Sequence, residues 1–262
     1  MTLKCTMILG DCLEVMQNLP ARSFDSFISD LPYCTTERKH TANHWDSVIN
    51  LKKLWDQINL RCQSYSPKVF IGCMTLAVAL ISSNPKEYRY DLVAERYFST
   101  GFLNSRHQPL RKHDLILLFS SSRSTYNPQM TIGQPYKEKS RRPSENYGSQ
   151  KQAITISPGT RYPVSIQRPS YEPERRTGKQ RSLHPTQKPV ALLDWLIRTY
   201  SNEGDNVLDP TSGSGTTAVA ALSCGRNVAC IEKNPGYFDA SVERVRKHVR
   251  DNFIRAEIDV IR

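Results

Sequence analysis

Apolar residues along the chain fall into short blocks whose spacing alternates between that of buried strands and that of amphipathic helices. Met7-Ile8-Leu9-Gly10-Asp11-Cys12 predicts a strand running into a helix, with Asp11 as its cap. Leu13, Met16 and Leu19 line one face of that helix until Pro20 stops it. Phe24, Phe27 and Ile28 form the next strand-like block, with Ser29-Asp30-Leu31-Pro32-Tyr33 at its carboxyl end. Leu51, Leu54, Trp55 and Ile58 predict a helix over 48–62, and residues 68–73, 88–98 and 114–119 read as strands. The last two are joined by a loop holding Asn104, Arg106, Arg111 and Lys112.

Periodicity fades between 121 and 183, where Ser, Pro, Gly, Gln and Tyr dominate, and it returns at His184-Pro185-Thr186-Gln187-Lys188-Pro189. An amphipathic helix follows (Leu192, Leu193, Leu196, Ile197), then a strand over 206–209 ending in Asp209. The run from Pro210 to Thr217 turns tightly through Gly213 and Gly215 into a helix over 218–224. A strand over 228–231 with Glu232 at its tip and a basic amphipathic helix over 235–250 close the pattern. An acid about twenty residues past a glycine turn is where a nucleotide-type βαβ unit keeps its ribose acceptor. The third glycine of the dinucleotide fingerprint is missing, and an aspartate at the strand end would repel a pyrophosphate. That carboxylate suits a cationic ligand such as S-adenosylmethionine, with its ammonium and sulfonium groups.

Charge adds a partner. The 262 residues carry 36 Lys and Arg against 25 Asp and Glu, which favours a polyanion. Twelve Lys/Arg against four Asp/Glu lie in 121–183 alone. There Tyr126, Tyr136, Tyr147, Tyr162 and Tyr171 are interleaved with Arg141, Arg142, Arg161, Arg168, Arg175 and Arg176, the candidate DNA-binding residues. A long segment without periodicity is either functional or disordered; the functional reading lays it along double-stranded DNA, arginines on phosphates. The three stretches expected are 1–120, a basic insert over 121–183, and 184–262.

There is no apolar run near 18 residues and no N-terminal signal pattern, so no membrane partner is expected and the protein is expected to be intracellular, not secreted by that route. Seven scattered cysteines without a C-x-x-C pair read as reduced thiols. His40 and His44 are spaced like metal ligands beside Glu37, but no second ligand cluster answers them, and no metal is expected.

The exocyclic amine of adenine or cytosine is a poor nucleophile because its lone pair is delocalised into the ring. Two acceptors aimed at its N–H bonds would pull the nitrogen toward a tetrahedral shape. Asp30 can supply one and the Leu31 or Pro32 carbonyl the other. Tyr33 can stack on an extruded base, typically worth ~1–3 kcal/mol. Alone, an acid followed by Pro and Tyr at a strand end is a common turn; the downstream motifs give it weight.

Together these motifs resemble the β class of DNA amino-methyltransferases. Asp30 to Tyr33 resembles their D-P-P-Y motif, His184 to Pro189 their H-P-T-Q-K-P segment, and Asp209 to Thr217 their D-P-F-x-G-S-G-T-T loop. The resemblance implies an α/β class I methyltransferase fold, Rossmann-like, with a mixed seven-stranded sheet, helices on both faces and an irregular target-recognition insert. It implies that Asp30, Leu31, Pro32 and Tyr33 hold the base. It further implies that Asp209, Thr211, Gly213, Ser214, Gly215, Thr216 and Thr217 hold S-adenosylmethionine with His184, Thr186 and Lys188. Glu232 would take the ribose, and Asp11 with Cys12 the adenine. Leu31 departs from the family's first proline, and Thr211 with Ser212 from its bulky aromatic. An acid at position 30 resembles the adenine-N6 members more than the cytosine-N4 ones, which stay as the alternative. A catalytically weak nucleic-acid-binding protein of the same fold is the alternative of another class. Relatives commonly form homodimers, though no feature here compels one.

Overall fold

The computed structural model describes residues 2–32, 49–139, 154–170, 183 and 186–262. Tyr33, the His40 and His44 pair, Arg141, Arg142, Arg175, Arg176 and His184 lie outside the described residues. In chain order the first half holds β1 (Leu3–Leu9), α1 (Cys12–Gln17), β2 (Ser26–Asp30), α2 (Leu51–Arg61), β3 (Lys68–Gly72), α3 (Met74–Ser83), β4 (Tyr88–Thr100) and β5 (Arg111–Phe119). Short strands follow: β6 (Thr131–Ile132), β7 (Tyr136–Lys139), β8 (Ile154–Ser157), β9 (Thr160–Arg161) and β10 (Ile166–Gln167). The chain ends with α4 (Val190–Tyr200), β11 (Asn206–Asp209), α5 (Thr216–Ser223), β12 (Asn227–Glu232), α6 (Pro235–Asp251) and β13 (Ala256–Ile261).

Two compact units are present, one of Met1–Asn127 with Ser165–Arg262 and one of Pro128–Val164. The larger is built on a sheet in the order β10-β4-β5-β3-β2-β11-β12-β1-β13, in which β5 alone runs antiparallel to its neighbours. The seven expected strands occupy its middle, and one further strand extends each edge. The central strands are apolar on both faces, as strands covered from both sides must be. Phe27, Phe70, Leu117, Leu208 and Ile231 pack with α1, α2 and α3, while Ile28, Val69, Val207 and Cys230 pack with α4, α5 and α6. Burying side chains of this size contributes roughly 1.5–3 kcal/mol each. The six described cysteines are free and buried, and no helix among the described residues is long and apolar enough to cross a membrane.

Two elements carry no clear signal in the chain. Helix α3 is apolar nearly throughout, so its buried Leu76, Ala77 and Leu80 do not stand out from exposed Met74 and Val78. Strand β13 exists because β1 offers it an edge to pair with. The stretch 121–183, expected to be irregular, contains five short strands instead. In the smaller unit β6 pairs with β9 and β7 with β8, while β10 joins β4 in the larger unit. Ladders of two to four residues are too short to print a period on the sequence.

Candidate active site

Strands β2 and β11 lie side by side and parallel, with Val207 opposite Ser26 and Leu208 opposite Phe27. From β2 the chain proceeds to β3 on one side, and from β11 to β12 on the other. The crevice at their carboxyl ends is therefore a topological switch point, the position at which open α/β sheets bind ligands. Asp30 ends β2 and Asp209 ends β11.

Asp209 is only 3% exposed. Its Oδ1 accepts from the Thr211 backbone N–H at 3.0 Å and its Oδ2 from the Thr217 hydroxyl at 2.5 Å. Burial pushes this carboxyl up to about 7; the two hydrogen bonds pull the other way, and the charges of Asp30 and Glu232 add to the rise. The loop from Asp209 into α5 turns through Gly213 and Gly215, at φ 52° and 71°, a region that side chains with a Cβ rarely enter. At Gly215 a Cβ would also sit 3.1 Å from the Ser241 side chain. Arg244 on α6 braces the loop, with Nη1 donating to the Ser214 carbonyl at 3.0 Å and the Thr216 hydroxyl at 2.9 Å.

Thr211 touches both motifs. Its hydroxyl donates to the Asp30 carbonyl at 3.2 Å and shares a hydrogen bond with the Ser29 hydroxyl at 2.8 Å, while its N–H holds Asp209. The Asp30 carboxylate pairs with Lys188 Nζ at 2.5 Å, and that lysine is buried. Through Lys188 the H-P-T-Q-K-P segment thus reaches the end of β2. Thr186 is exposed, and Leu31 is buried against the α1–α3 face.

Glu232 ends β12 and folds back on the glycine turn. Its Oε2 accepts from Gly213 N–H at 2.8 Å and its Oε1 from Asn234 N–H at 2.7 Å. Burial raises its carboxyl above the ordinary range despite these bonds. Asp11 caps α1 through Leu13 N–H at 2.9 Å and pairs with Lys233 at 3.0 Å. Burial works against its charge, but the Lys233 and backbone bonds outweigh it and leave the carboxyl below its usual range. Cys12 opens α1, buried, its thiol pushed up to about 12 by burial first and by Asp11 second.

Asp11, Asp30, Lys188, Thr211, Gly213 to Thr217, Asp209 and Glu232 therefore meet at one edge of the sheet. Arg161 and Arg168 do not share a unit. In the smaller unit, the Arg161 guanidinium lies 4.3 Å from the centre of the Tyr136 ring and donates to the Gln134 carbonyl. In the larger unit, Arg168 pairs with Glu95 at 3.0 Å. Sequence reasoning missed Ser29, Lys233 and Arg244. Ser29 adjoins a motif and Lys233 follows one, but Arg244 is one of several basic residues on α6 and nothing in the spacing marks it.

Residues 24–243 match the family of N6/N4 DNA methylases, and the chain belongs to that family. It is 24% identical over 267 residues to the DNA adenine methyltransferase YhdJ of Escherichia coli K12, covering 92% of this chain and 82% of that one. Among solved structures it resembles an M1.HpyAVI–SAM complex at TM-score 0.57 and 20% identity, over 91% of this chain and 99% of that one. It also resembles the cytosine-N4-specific PvuII DNA methyltransferase at TM-score 0.62 and 15% identity, over 98% and 97% of the two chains. These two likenesses concern the fold.

Proposed function

We propose that this chain transfers a methyl group from S-adenosylmethionine to the N6 amino group of adenine at specific sites in double-stranded DNA, with the base turned out of the helix. The observation that carries the reading is Thr211, which hydrogen-bonds the end of the β2 motif and the end of the β11 motif at once. A donor bound on one strand and an acceptor bound on the other would then be neighbours.

The donor set fits the cofactor. Carboxylates at Asp209 and Glu232 flank a glycine turn, which suits a ligand bearing cationic groups and ribose hydroxyls, and Asp11 with Cys12 stands at the next strand end for the adenine. S-adenosylmethionine supplies an electrophilic methyl group on a sulfonium. Asp30 accepts one N–H of the target amine, and the Leu31 or Pro32 carbonyl accepts the other. The nitrogen lone pair is then directed at the methyl carbon. As the N–C bond forms, the methyl–sulfur bond would break and leave the neutral thioether; the amine becomes acidic, and its proton would pass toward the Asp30 carboxylate and on to water. Lys188 fixes the position of that carboxylate before the base arrives, and the amine competes with it for Asp30. Tyr33 stacks on the base. The basic insert holds the duplex, with Arg141, Arg142, Arg161, Arg168, Arg175 and Arg176 as its candidate contacts.

The test is incubation with labelled S-adenosylmethionine and unmethylated DNA, followed by digestion to nucleosides. N6-methyldeoxyadenosine is expected. N4-methyldeoxycytidine would move the target to cytosine, the other amine that this family modifies, and no product would leave a nucleic-acid-binding protein of this fold. Asp30→Ala is expected to abolish transfer while cofactor binding survives; loss of both would make Asp30 structural.

A further inference from the structure

The registers place Asp30 in one row with Ile71 of β3, Ile116 of β5 and Leu92 of β4. Strands β4 and β5 do not stop there. They run on as a hairpin paired as far as Thr100 and Arg111. Arg111 lies five residues beyond Ile116, so at ~3.3 Å per residue the hairpin overhangs the row of Asp30 by roughly 16 Å. It rises from the same edge of the sheet as the candidate site.

Its composition differs from that of the sheet beneath. From 96 to 113 there is no Asp or Glu, but there are Arg96, Arg106, Arg111, Lys112, His107 and His113. The carboxylates Glu95 and Asp114 sit at the root, where they pair with Lys112 at 3.1 Å and with Arg96. The tip is ordered by its own backbone: Asn104 N–H donates to Gly101 O and Ser105 N–H to Phe102 O. That turn holds Phe102 and Leu103 outward at 77% and 91% exposure, with Phe98 at 62% further down. Tyr97 and Phe98 meet edge to face at 4.7 Å. Large apolar side chains held outward on an acid-free, basic hairpin carry a cost in water that burial on a partner removes.

We infer that this hairpin is a second DNA-contacting element, separate from the 121–183 insert, whose Phe102–Leu103 tip packs against the bases beside the target while Arg106 holds a phosphate. The inference rests on the reading of DNA as substrate. Basic charge matches the polyanion, and apolar side chains that enter a duplex do so by wedging between base steps, which favours an opened site. Being on the edge that carries Asp30, the tip would meet the duplex where the base leaves it.

The experiment uses the full chain and a duplex fragment of unmethylated plasmid DNA. For Phe102→Trp, the emission in excess of the wild type is expected to fall by half or more on adding DNA and to ignore protein concentration without it. Phe102→Ala with Leu103→Ala is expected to lower methyl transfer at least tenfold while cofactor affinity stays within twofold. Arg106→Ala is expected to flatten the slope of log affinity against log salt by about one unit. Emission that ignores bound DNA, or transfer undiminished in the double variant, overturns the inference and leaves the methyltransferase reading standing. Emission that follows protein concentration alone overturns it in favour of a face between two copies of the chain. If the wild type methylates no DNA, the substrate reading fails, and the emission change alone then decides the hairpin: quenching supports it and its absence ends it.

Discussion

Asp209 is the residue on which burial and function pull in opposite directions. Buried as it is, its carboxyl titrates near 7, well above the ordinary ~3.9 for aspartate. A raised folded value means that the folded chain holds the proton more tightly. The contribution of Asp209 to stability is thus present in full below pH ~4 and is lost as pH rises through about 7. A bound cation reverses the preference, because it favours the carboxylate. Affinity for S-adenosylmethionine is therefore expected to rise between pH 6 and 7, by up to about tenfold per unit, and to level off above 7. Asp209→Asn should flatten the profile; titration calorimetry across that range checks both. Asp11 behaves in the opposite sense. Its lowered value gives stability that is present above the unfolded value and lost as pH falls through the folded one. Both carboxylates sit at strand ends, and burial sets most of the difference: Asp209 is buried beside the charges of Asp30 and Glu232, whereas Asp11 is part-exposed and has Lys233 as a partner.

At the scale of elements, the tie between β2 and the loop after β11 is one side chain long. In the resemblance, Thr211 stands where relatives carry an aromatic, and the sequence reads that as a lost packing contact. The fold turns the loss into hydrogen bonds to Ser29 and to the Asp30 carbonyl. Thr211→Val keeps the shape and removes both, leaving the Ser29 hydroxyl, fully buried, without that partner at a cost of about 1–3 kcal/mol. The expected result is a roughly tenfold fall in kcat, the size of a ~1.4 kcal/mol change in the barrier, with cofactor affinity within twofold. Thr211→Ser should restore the rate. Steady-state kinetics with the DNA substrate reads the split, and a matching loss of cofactor affinity would make Thr211 a loop-stability residue only. Most other elements of the large sheet and its helices are legible in the chain itself, because each has a period and punctuation: Asp11 and Pro20 bracket α1, and Gly204 and Gly225 stand outside β11 and α5. Helix α3 and strand β13 are not, since one is apolar all round and the other depends on a neighbour's edge.

Across the whole molecule the surplus of eleven positive charges is uneven, and eight of them fall in 121–183. If that segment tracks phosphates, replacing Arg141 and Arg142 by Ala should lower the salt slope of DNA binding by about one unit for each lost contact. An unchanged slope in a filter-binding series would mean that neither arginine meets the backbone. The two described arginines of the same set show that a basic residue can already hold a partner within the chain, even where, as at Arg168, its side chain is exposed. Arg161 is occupied by Tyr136 and Gln134, and Arg168 by Glu95, and no spacing rule distinguishes such internal partners from phosphates.

The sequence by itself determined most strands and helices of the α/β core, α3 and β13 apart, and the identity of the motif residues, because turns, caps and alternation act over a few neighbouring positions. Only the tertiary structure decided that Asp30 and Asp209, 179 residues apart, end neighbouring strands, that Lys188 lies on Asp30, and that Arg244 braces the glycine loop. Those contacts follow from the order in which strands pair, which is set by the burial of both sheet faces at once and leaves no local mark on the chain.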